Sequence, residues 1–243
     1  MKYYLYAFKL PFSCARFKVA NAYMVGQSEK TANQGSKTVE VVSQDLIKSE
    51  SNGETNIEIT SKKIIHIDRA VPKGLKGMVP KYAYSIHEDS HTLWPCIDTI
   101  YSCPADPKKL TCEVRTITKD SGSLNELPEE FSCYVADKKK LTITSYDFQA
   151  ELKALGQQEG LNVEYSYSYK LLVIDANIFG QSIIEKIAGS KMRTIFLNNY
   201  KNLILDYPNW KQFQTSDIER LRNGEGVKLQ EVLEKDEEDV EEK

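Results

Sequence analysis

The sequence predicts an α+β fold in which a curved antiparallel sheet is closed by helices. Three observations predict it. Segments rich in β-branched and aromatic residues, with partial period-two alternation, fill the first two-thirds of the chain. Two segments of helical period follow the last of these, each opened by a capping-box pattern. Several strand faces are apolar except for one or two polar residues, the pattern expected of walls around a shared cavity.

Taken in order, residues 3–10, 17–25, 38–42, 57–68, 97–102, 110–118, 131–135, 141–145 and 163–175 read as strands. Residues 28–35 and 43–55 read as polar loops. Residues 72–78, with proline in the first turn, read as a short helix, and residues 147–157 as another. Ser182 and Glu185 form a capping box, after which Ile184, Ala188, Met192, Ile195, Phe196, Tyr200 and Leu203 recur at helical spacing. Tyr207-Pro208 stops that helix. Ser216 and Glu219 form a second box, opening a helix with Ile218, Leu221, Leu229 and Val232. Gly224 and Gly226 weaken its middle by roughly 1 kcal/mol each.

Hydrophobic residues make up 41% of the 243-residue chain and charged residues 28%, enough apolar material for a large core and not a disordered composition. No apolar run approaches the roughly 18 residues that a membrane-spanning helix needs. The first residues alternate and read as a strand, not as a signal peptide. Five cysteines (Cys14, Cys96, Cys103, Cys112 and Cys133) are scattered without a C-x-x-C pair, which suits reduced thiols in the cytosol and offers no metal-ligand spacing. The absence of an N-x-S/T acceptor agrees with that compartment. The net charge of −3 hides an asymmetry: residues 231–243 carry eight acids and two lysines, so the rest is mildly basic at +3. That suits an anionic membrane surface and is too weak for nucleic acid. The acidic end reads as solvated.

Strand periodicity singles out individual positions. In residues 57–68, Ser61 and Lys63 interrupt a face made of Ile57, Ile59, Ile65 and Ile67. A lysine there is costly to bury without a partner. Asn21 shares a face with Phe17, Val19, Tyr23 and Val25, and Thr116 shares one with Leu110, Cys112 and Val114. Lys170 lies with Ser168, Leu172 and Ile174. Each alone fits an edge residue that reaches water. Together they fit one cavity whose donors hold an accepting group, such as a phosphate or sugar head.

His87-Glu88-Asp89-Ser90-His91 matches the H-E-x-x-H pattern of zinc hydrolases, in which two histidines one helical turn apart hold the metal. Asp89 and Ser90 are indifferent helix formers, Trp94-Pro95 ends any helix within a turn, and His66 is the one histidine left as a third ligand. A loop or short helical turn without metal is the preferred reading.

Residues 6–11 (Tyr-Ala-Phe-Lys-Leu-Pro), followed by Phe17-Lys-Val-Ala-Asn-Ala-Tyr23, resemble the opening of the class I phosphatidylinositol transfer proteins. Lys63-Ile-Ile-His66, Val71-Pro72, Pro80, Ile86-His87-Glu88 and Pro95 resemble that family's second block. Tyr169-Lys-Leu-Leu-Val173, Gly180, Asn198, Trp210 and Asp217-Ile218 resemble its C-terminal block. The resemblance spans roughly residues 3–118 and 163–222, and residues 120–160 match poorly. It implies a START-like, helix-grip architecture: a long concave antiparallel sheet whose helices enclose one phospholipid. Residues 1–234 would then form a single lipid-binding domain and residues 235–243 a disordered acidic tail.

The resemblance also implies a non-enzymatic activity, the exchange of phosphatidylinositol and phosphatidylcholine between membranes. The expected protein is a cytoplasmic monomer that visits membrane surfaces, with no nucleic-acid partner and no cofactor beyond the bound lipid. Its head-group positions fall on Asn21, Ser61, Lys63, Glu88, Thr92, Thr99, Thr116 and Lys170. Serine, threonine and asparagine stand at Ser61, Thr92 and Asn21, where the family has threonine, asparagine and glutamine. A family glutamate falls on Arg222, which reverses the charge, with Glu219 and Glu225 about one turn away. The family's membrane-inserting tryptophan pair falls on Ile178 and Phe179, which stay apolar. The glycine- and proline-rich regulatory loop of animal members has no match. Two other readings remain open at this point: a binder that holds a sterol or other apolar ligand without shuttling it, and the zinc hydrolase.

Overall fold

The computed structural model describes residues 1–31, 39–51, 54–66, 84–104, 110–148, 152, 164–176 and 181–227. Their eight strands are β1 (Lys2–Leu10), β2 (Val39–Ser51), β3 (Glu54–His66), β4 (Ser85–Leu93), β5 (Cys96–Ser102), β6 (Leu110–Lys119), β7 (Leu141–Asp147) and β8 (Ser166–Ala176). They form one open sheet in the order β2-β3-β4-β5-β6-β8-β1-β7. Every pairing is antiparallel except β1 with β7, which run parallel from Tyr3↔Leu141 to Lys9↔Asp147. The expected all-antiparallel sheet is therefore mixed at one edge, because β7 follows β6 through a long connection that returns the chain in the direction of β1.

The helices are α1 (Cys14–Thr31), α2 (Gln181–Leu205), α3 (Tyr207–Trp210) and α4 (Ile218–Arg222). Residues 17–25 belong to α1, not to a strand. Phe17, Ala20 and Tyr23 repeat every third residue, and Ala, Arg, Lys and Met favour a helix, so their period outweighs the apparent alternation. Ser13 begins it: its carbonyl accepts from the Phe17 amide at 2.8 Å, and its hydroxyl accepts from the Arg16 amide at 3.3 Å. Helix α1 buries Phe17, Val19, Ala20, Ala22, Tyr23, Gly26, Gln27 and Glu29.

The polar stretch read as a loop over residues 43–55 is instead the hairpin of β2 and β3, paired from Val39↔Ile65 to Ser51↔Glu54. Its polarity reflects an edge strand facing water, and Asn52-Gly53 is a hairpin-turn signal that the polarity obscured. Residues 131–135 are no strand: Glu129–Tyr134 form a 3₁₀ helix after Pro128. Phe131 and Val135 cover the outer face of the sheet with Leu5, Ala7, Ile117 and Leu171.

Helix α2 begins at Gln181, so Ser182 lies inside its first turn and does not cap it. Glu185 is buried and accepts hydrogen bonds from the Ala176 amide (3.3 Å) and the Gln181 amide nitrogen (3.0 Å). Phe196, Tyr200, Leu203 and Ile204 face the sheet, whereas Ile195 is exposed. The helix stops before Pro208, as expected. The second capping box falls on Gln214 and Asp217, not on Ser216 and Glu219. Helix α4 ends at Arg222 because Gly224 and Gly226 take left-handed conformations (φ 75° and 73°), which favour glycine. The expected helix over residues 72–78 and the segment beyond Val227 lie outside the described residues, as does most of 147–157.

The main core lies between the inner face of the sheet and the layer of α1, α2, α3 and α4. Trp210, Phe12, Phe17, Tyr23, Phe148 and Tyr200 are fully buried there. Phe12 and Trp210 meet edge to face at 5.5 Å, as do Phe8 and Tyr200 at 4.9 Å.

Candidate functional site

Strand alternation and register place the expected polar residues on one face. Lys63 pairs with Glu88, and Ser61 with Ser90. Ser90 pairs with Thr99, and Thr92 with Ile97. Ile97 pairs with Thr116, and Thr116 with Lys170. Ser61, Lys63, Glu88, Thr92, Thr99, Thr116 and Lys170 therefore share the inner face, beneath the helices. They are set among Ile57, Ile59, Val114, Leu172 and Ile174 of the same core. Asn21 arrives from the opposite side, on α1, and borders a cleft with Lys18, Ala22, Ile57, Ile59, Thr92, Trp94, Ile218 and Arg222.

At one end of this face is a buried charge cluster. The Lys63 ammonium lies 2.9 Å from Glu29 and 3.2 Å from Glu88, and the three side chains are 10–13% exposed. Arg222, from α4, lies 3.6 Å from the same Glu29 oxygen and donates to the Gln44 side-chain oxygen at 2.7 Å. Two cations thus face two carboxylates, which offsets the cost of burying each. Burial lowers the Arg222 pKa, and Glu29 and Glu88 oppose that shift. Burial first, then the charge of the neighbouring Glu88 carboxylate, pushes the Tyr101 phenol well up.

At the other end, the Lys170 ammonium donates to the Thr116 hydroxyl at 3.1 Å and lies 4.9 Å above the Phe196 ring and 5.5 Å from that of Tyr200. Burial draws its pKa down from 10.5 to about 8. Part of its side chain nevertheless remains accessible. Tyr101, on the same face, likewise keeps some accessible surface. Between the two ends, the Ser90 and Thr99 hydroxyls bond each other at 3.2 Å.

The H-E-x-x-H segment lies on β4, which corrects the expected loop or helical turn. Along a strand, positions i and i+4 are about 13 Å apart, so His87 and His91 cannot share one metal ion. Glu88 points to the inner face with Lys63, and the histidines point outward, where His91 meets Glu58 at 2.7 Å. Among the described residues, no group of three or more His, Cys, Asp or Glu is placed to hold a metal.

Periodicity missed Glu29, because residues 28–35 read as a loop. On a helix, Lys18, Ala22 and Glu29 share one face (i, i+4, i+11), and a helical reading of residues 17–25 would have found it. It also missed Gln44 and Tyr101. Of the three candidates at the final helix, Arg222 turns inward, whereas Glu219 and Glu225 are exposed and pair with Lys48 and Arg220. Ile178 and Phe179 lie outside the described residues. No described helix is long and apolar enough to cross a membrane.

Comparison with known proteins agrees with this geometry. The family model described as "Phosphatidylinositol transfer protein" matches residues 1–154 and 152–224. The chain is 22% identical to phosphatidylinositol transfer protein 4 of Dictyostelium discoideum over 240 residues, covering 88% of this chain and 71% of that protein. It is 25% identical to phosphatidylinositol transfer protein 2 of the same organism over 112 residues, covering 46% of this chain and 42% of the other. A third relative, the membrane-associated phosphatidylinositol transfer protein 1 of Mus musculus, is 24% identical over 153 residues, covering 63% of this chain but 12% of that much longer protein. A match over nearly the whole described length, on a sheet that gathers the expected polar residues under its helices, places this chain in the phosphatidylinositol transfer protein family.

Proposed function

We propose that the protein binds one molecule of phosphatidylinositol, or of phosphatidylcholine, between its sheet and helices and exchanges it between membranes. The observation that carries this reading is the convergence of Ser61, Lys63, Glu88, Thr92, Thr99, Thr116 and Lys170 on one largely apolar inner face, with Asn21 facing them from α1. The lipid's tails need an apolar solvent, because each exposed CH₂ costs about 0.8 kcal/mol in water. The inner face offers that solvent. Its ammonium, hydroxyl and amide groups replace the water lost by the head.

In this reading Lys170 and Thr116 take the phosphodiester, and Lys63, Glu88 and Ser61 the inositol hydroxyls. Nothing in this role requires bond making, and the protein acts as a carrier without cofactor or catalytic residue. It works as a cytoplasmic monomer that touches membranes transiently through Ile178 and Phe179. The test is transfer of labelled phosphatidylinositol and phosphatidylcholine between donor and acceptor vesicles by the purified full chain. Transfer above the spontaneous rate for at least the inositol lipid is expected. Spontaneous rates for both lipids would contradict the reading.

A further inference from the structure

The seam between β7 and α2, at one edge of the sheet, carries cations outside the proposed lipid seat. Lys138, Lys139 and Lys140 form a short 3₁₀ helix that runs straight into β7, and all three are exposed. Asp137 caps it, accepting from the Lys139 amide at 3.0 Å, and lies 3.9 Å from the Lys140 ammonium. Leu141 pairs with Tyr3, which sets the triplet beside the start of β1. There the Lys2 ammonium donates to the Ser182 hydroxyl at 3.2 Å, so the first turn of α2 lies at the same end. Lys186 and Arg193 follow on α2, both exposed and seven residues apart, hence on one stripe of the helix. That stripe looks towards β7, where Arg193 borders a groove with Thr144, Ser145 and Tyr146. The acids around the seam are already paired. Asp175 and Glu185 face the Met1 amino group at 3.0 and 3.2 Å, and Asp147, at the far end of β7, pairs with Lys9. From Lys186 to Leu205, α2 contains no Asp or Glu. Among the described residues, no carboxylate pairs with Lys138, Lys139, Lys186 or Arg193, and Lys140 has Asp137 alone.

We propose that this seam, through Lys138, Lys139, Lys140, Lys186 and Arg193, is a docking surface for an anionic lipid bilayer. Ammonium groups on long flexible stems respond to a sheet of negative head groups by charge density and need no shaped pocket, and their attraction acts within a Debye length of the membrane. Continuity favours a bilayer over an acidic protein as the occupant. Ile178 and Phe179, the proposed bilayer contact, immediately precede α2 in the chain, and the seam begins at the first turns of that helix. The cations hold the carrier on an anionic leaflet while the apolar pair dips into it. The inference rests on the proposed visits to membranes and names the class of lipid that receives them.

The experiment measures co-sedimentation of the purified full chain with phosphatidylcholine vesicles, made with and without phosphatidylserine. Mass spectrometry gives, in parallel, the phospholipid that the chain carries. Wild type is expected to bind the phosphatidylserine vesicles more strongly, and high salt should remove the difference. Lys138→Gln/Lys139→Gln/Lys140→Gln should lower binding to those vesicles by about tenfold or more. Binding to pure phosphatidylcholine vesicles and the lipid carried should not change. Lys186→Gln/Arg193→Gln should act in the same direction and serves if the triple variant does not fold. A wild type indifferent to phosphatidylserine, or a preference that survives both sets of substitutions, would overturn the surface while leaving the proposed function standing. Retention on polyglutamate without binding to vesicles would give the seam to an acidic protein and overturn the proposal as well. A preference for phosphatidylserine that depends on these residues, in a chain that carries and exchanges no phospholipid, would uphold the surface and overturn the proposed function.

Discussion

Lys63 interrupts an apolar strand face because it has partners there, and those partners change how it must be tested. Removing its charge leaves Glu29 and Glu88 buried with Arg222 as the nearest cation. Breaking a buried pair from one side costs about 3–5 kcal/mol. Lys63→Ala should therefore lower thermal stability as well as inositol-lipid uptake. Adding Glu29→Gln should recover part of the stability without restoring uptake; recovery of both would show that Lys63 acts only as a counter-ion. Choline-lipid uptake should be less affected than inositol-lipid uptake in either variant.

Lys170 gives a pH prediction. Its folded pKa of about 8 lies below the ordinary 10.5, so the folded state holds fewer protons than the unfolded state between those values. Stability from this group is lost below about pH 8 and gained as pH rises from there towards 10.5. Lipid binding has the opposite sign, because an anionic phosphate needs the ammonium. Tyr6 and Tyr200 face it with phenols that burial pushes well up, so they stay neutral across this window. Phospholipid uptake should fall as pH rises through about 8, and Lys170→Gln should be weaker throughout and flat. A profile that keeps its slope in Lys170→Gln would assign the titration elsewhere.

At the scale of elements, the seat of α4 on α1 positions Arg222. A Cβ added at Gly26 would lie 1.9 Å from the Leu221 carbonyl oxygen, so the two helices touch through backbone. Gly26→Ala should push α4 outward, cost about 1–3 kcal/mol in chemical denaturation and weaken the Arg222–Gln44 contact. Unchanged stability would mean that α4 is not seated this closely. The same element explains what could be read beforehand. Strands β1, β3, β6 and β8 were legible because one or both faces are buried and many of their residues are β-branched or aromatic, and β5 because Ile97, Thr99, Ile100 and Tyr101 are. Helix α1 was not, because Phe17, Val19, Tyr23 and Val25 also alternate, and eight buried residues spread over a broad face of the eighteen-residue helix blur the helical stripe. Strand β4 was hidden by polarity: Glu88, Ser90 and Thr92 face the site, while His87, Asp89 and His91 face outward. A strand with a functional inner face and a hydrophilic outer face has no apolar side to read.

At the scale of the whole molecule, the sheet is packed on both faces where β6, β8, β1 and β7 meet, and its inner face stays partly accessible over β3, β4 and β5. The charge cluster of Lys63 and Glu88 lies in the second of these halves, and the Lys170–Thr116 pair on β8 and β6 of the first. Ser61, Lys63, Thr116 and Lys170 could be singled out from sequence because period two holds whatever the partners are, whereas Glu88, Thr92 and Thr99 came only from the family resemblance. Gln44 and Arg222 join the cluster through tertiary contacts of β2 and α4 that no local pattern encodes, and Glu29 through the face of α1 that the strand reading of residues 17–25 hid. At this scale the proposed membrane contact can be tested with Ile178→Ser/Phe179→Ser, which should cut vesicle binding and transfer several-fold while leaving lipid already bound in place. Undiminished transfer would remove those residues from the membrane contact.

The central claim, that the inner face is a seat for one phospholipid, is tested most directly by native mass spectrometry of the purified full chain, followed by identification of whatever is extracted from it. One equivalent of phosphatidylinositol or phosphatidylcholine per chain is the expected result. A chain without lipid that also fails to take one up from vesicles, or one that carries a sterol in its place, would contradict it.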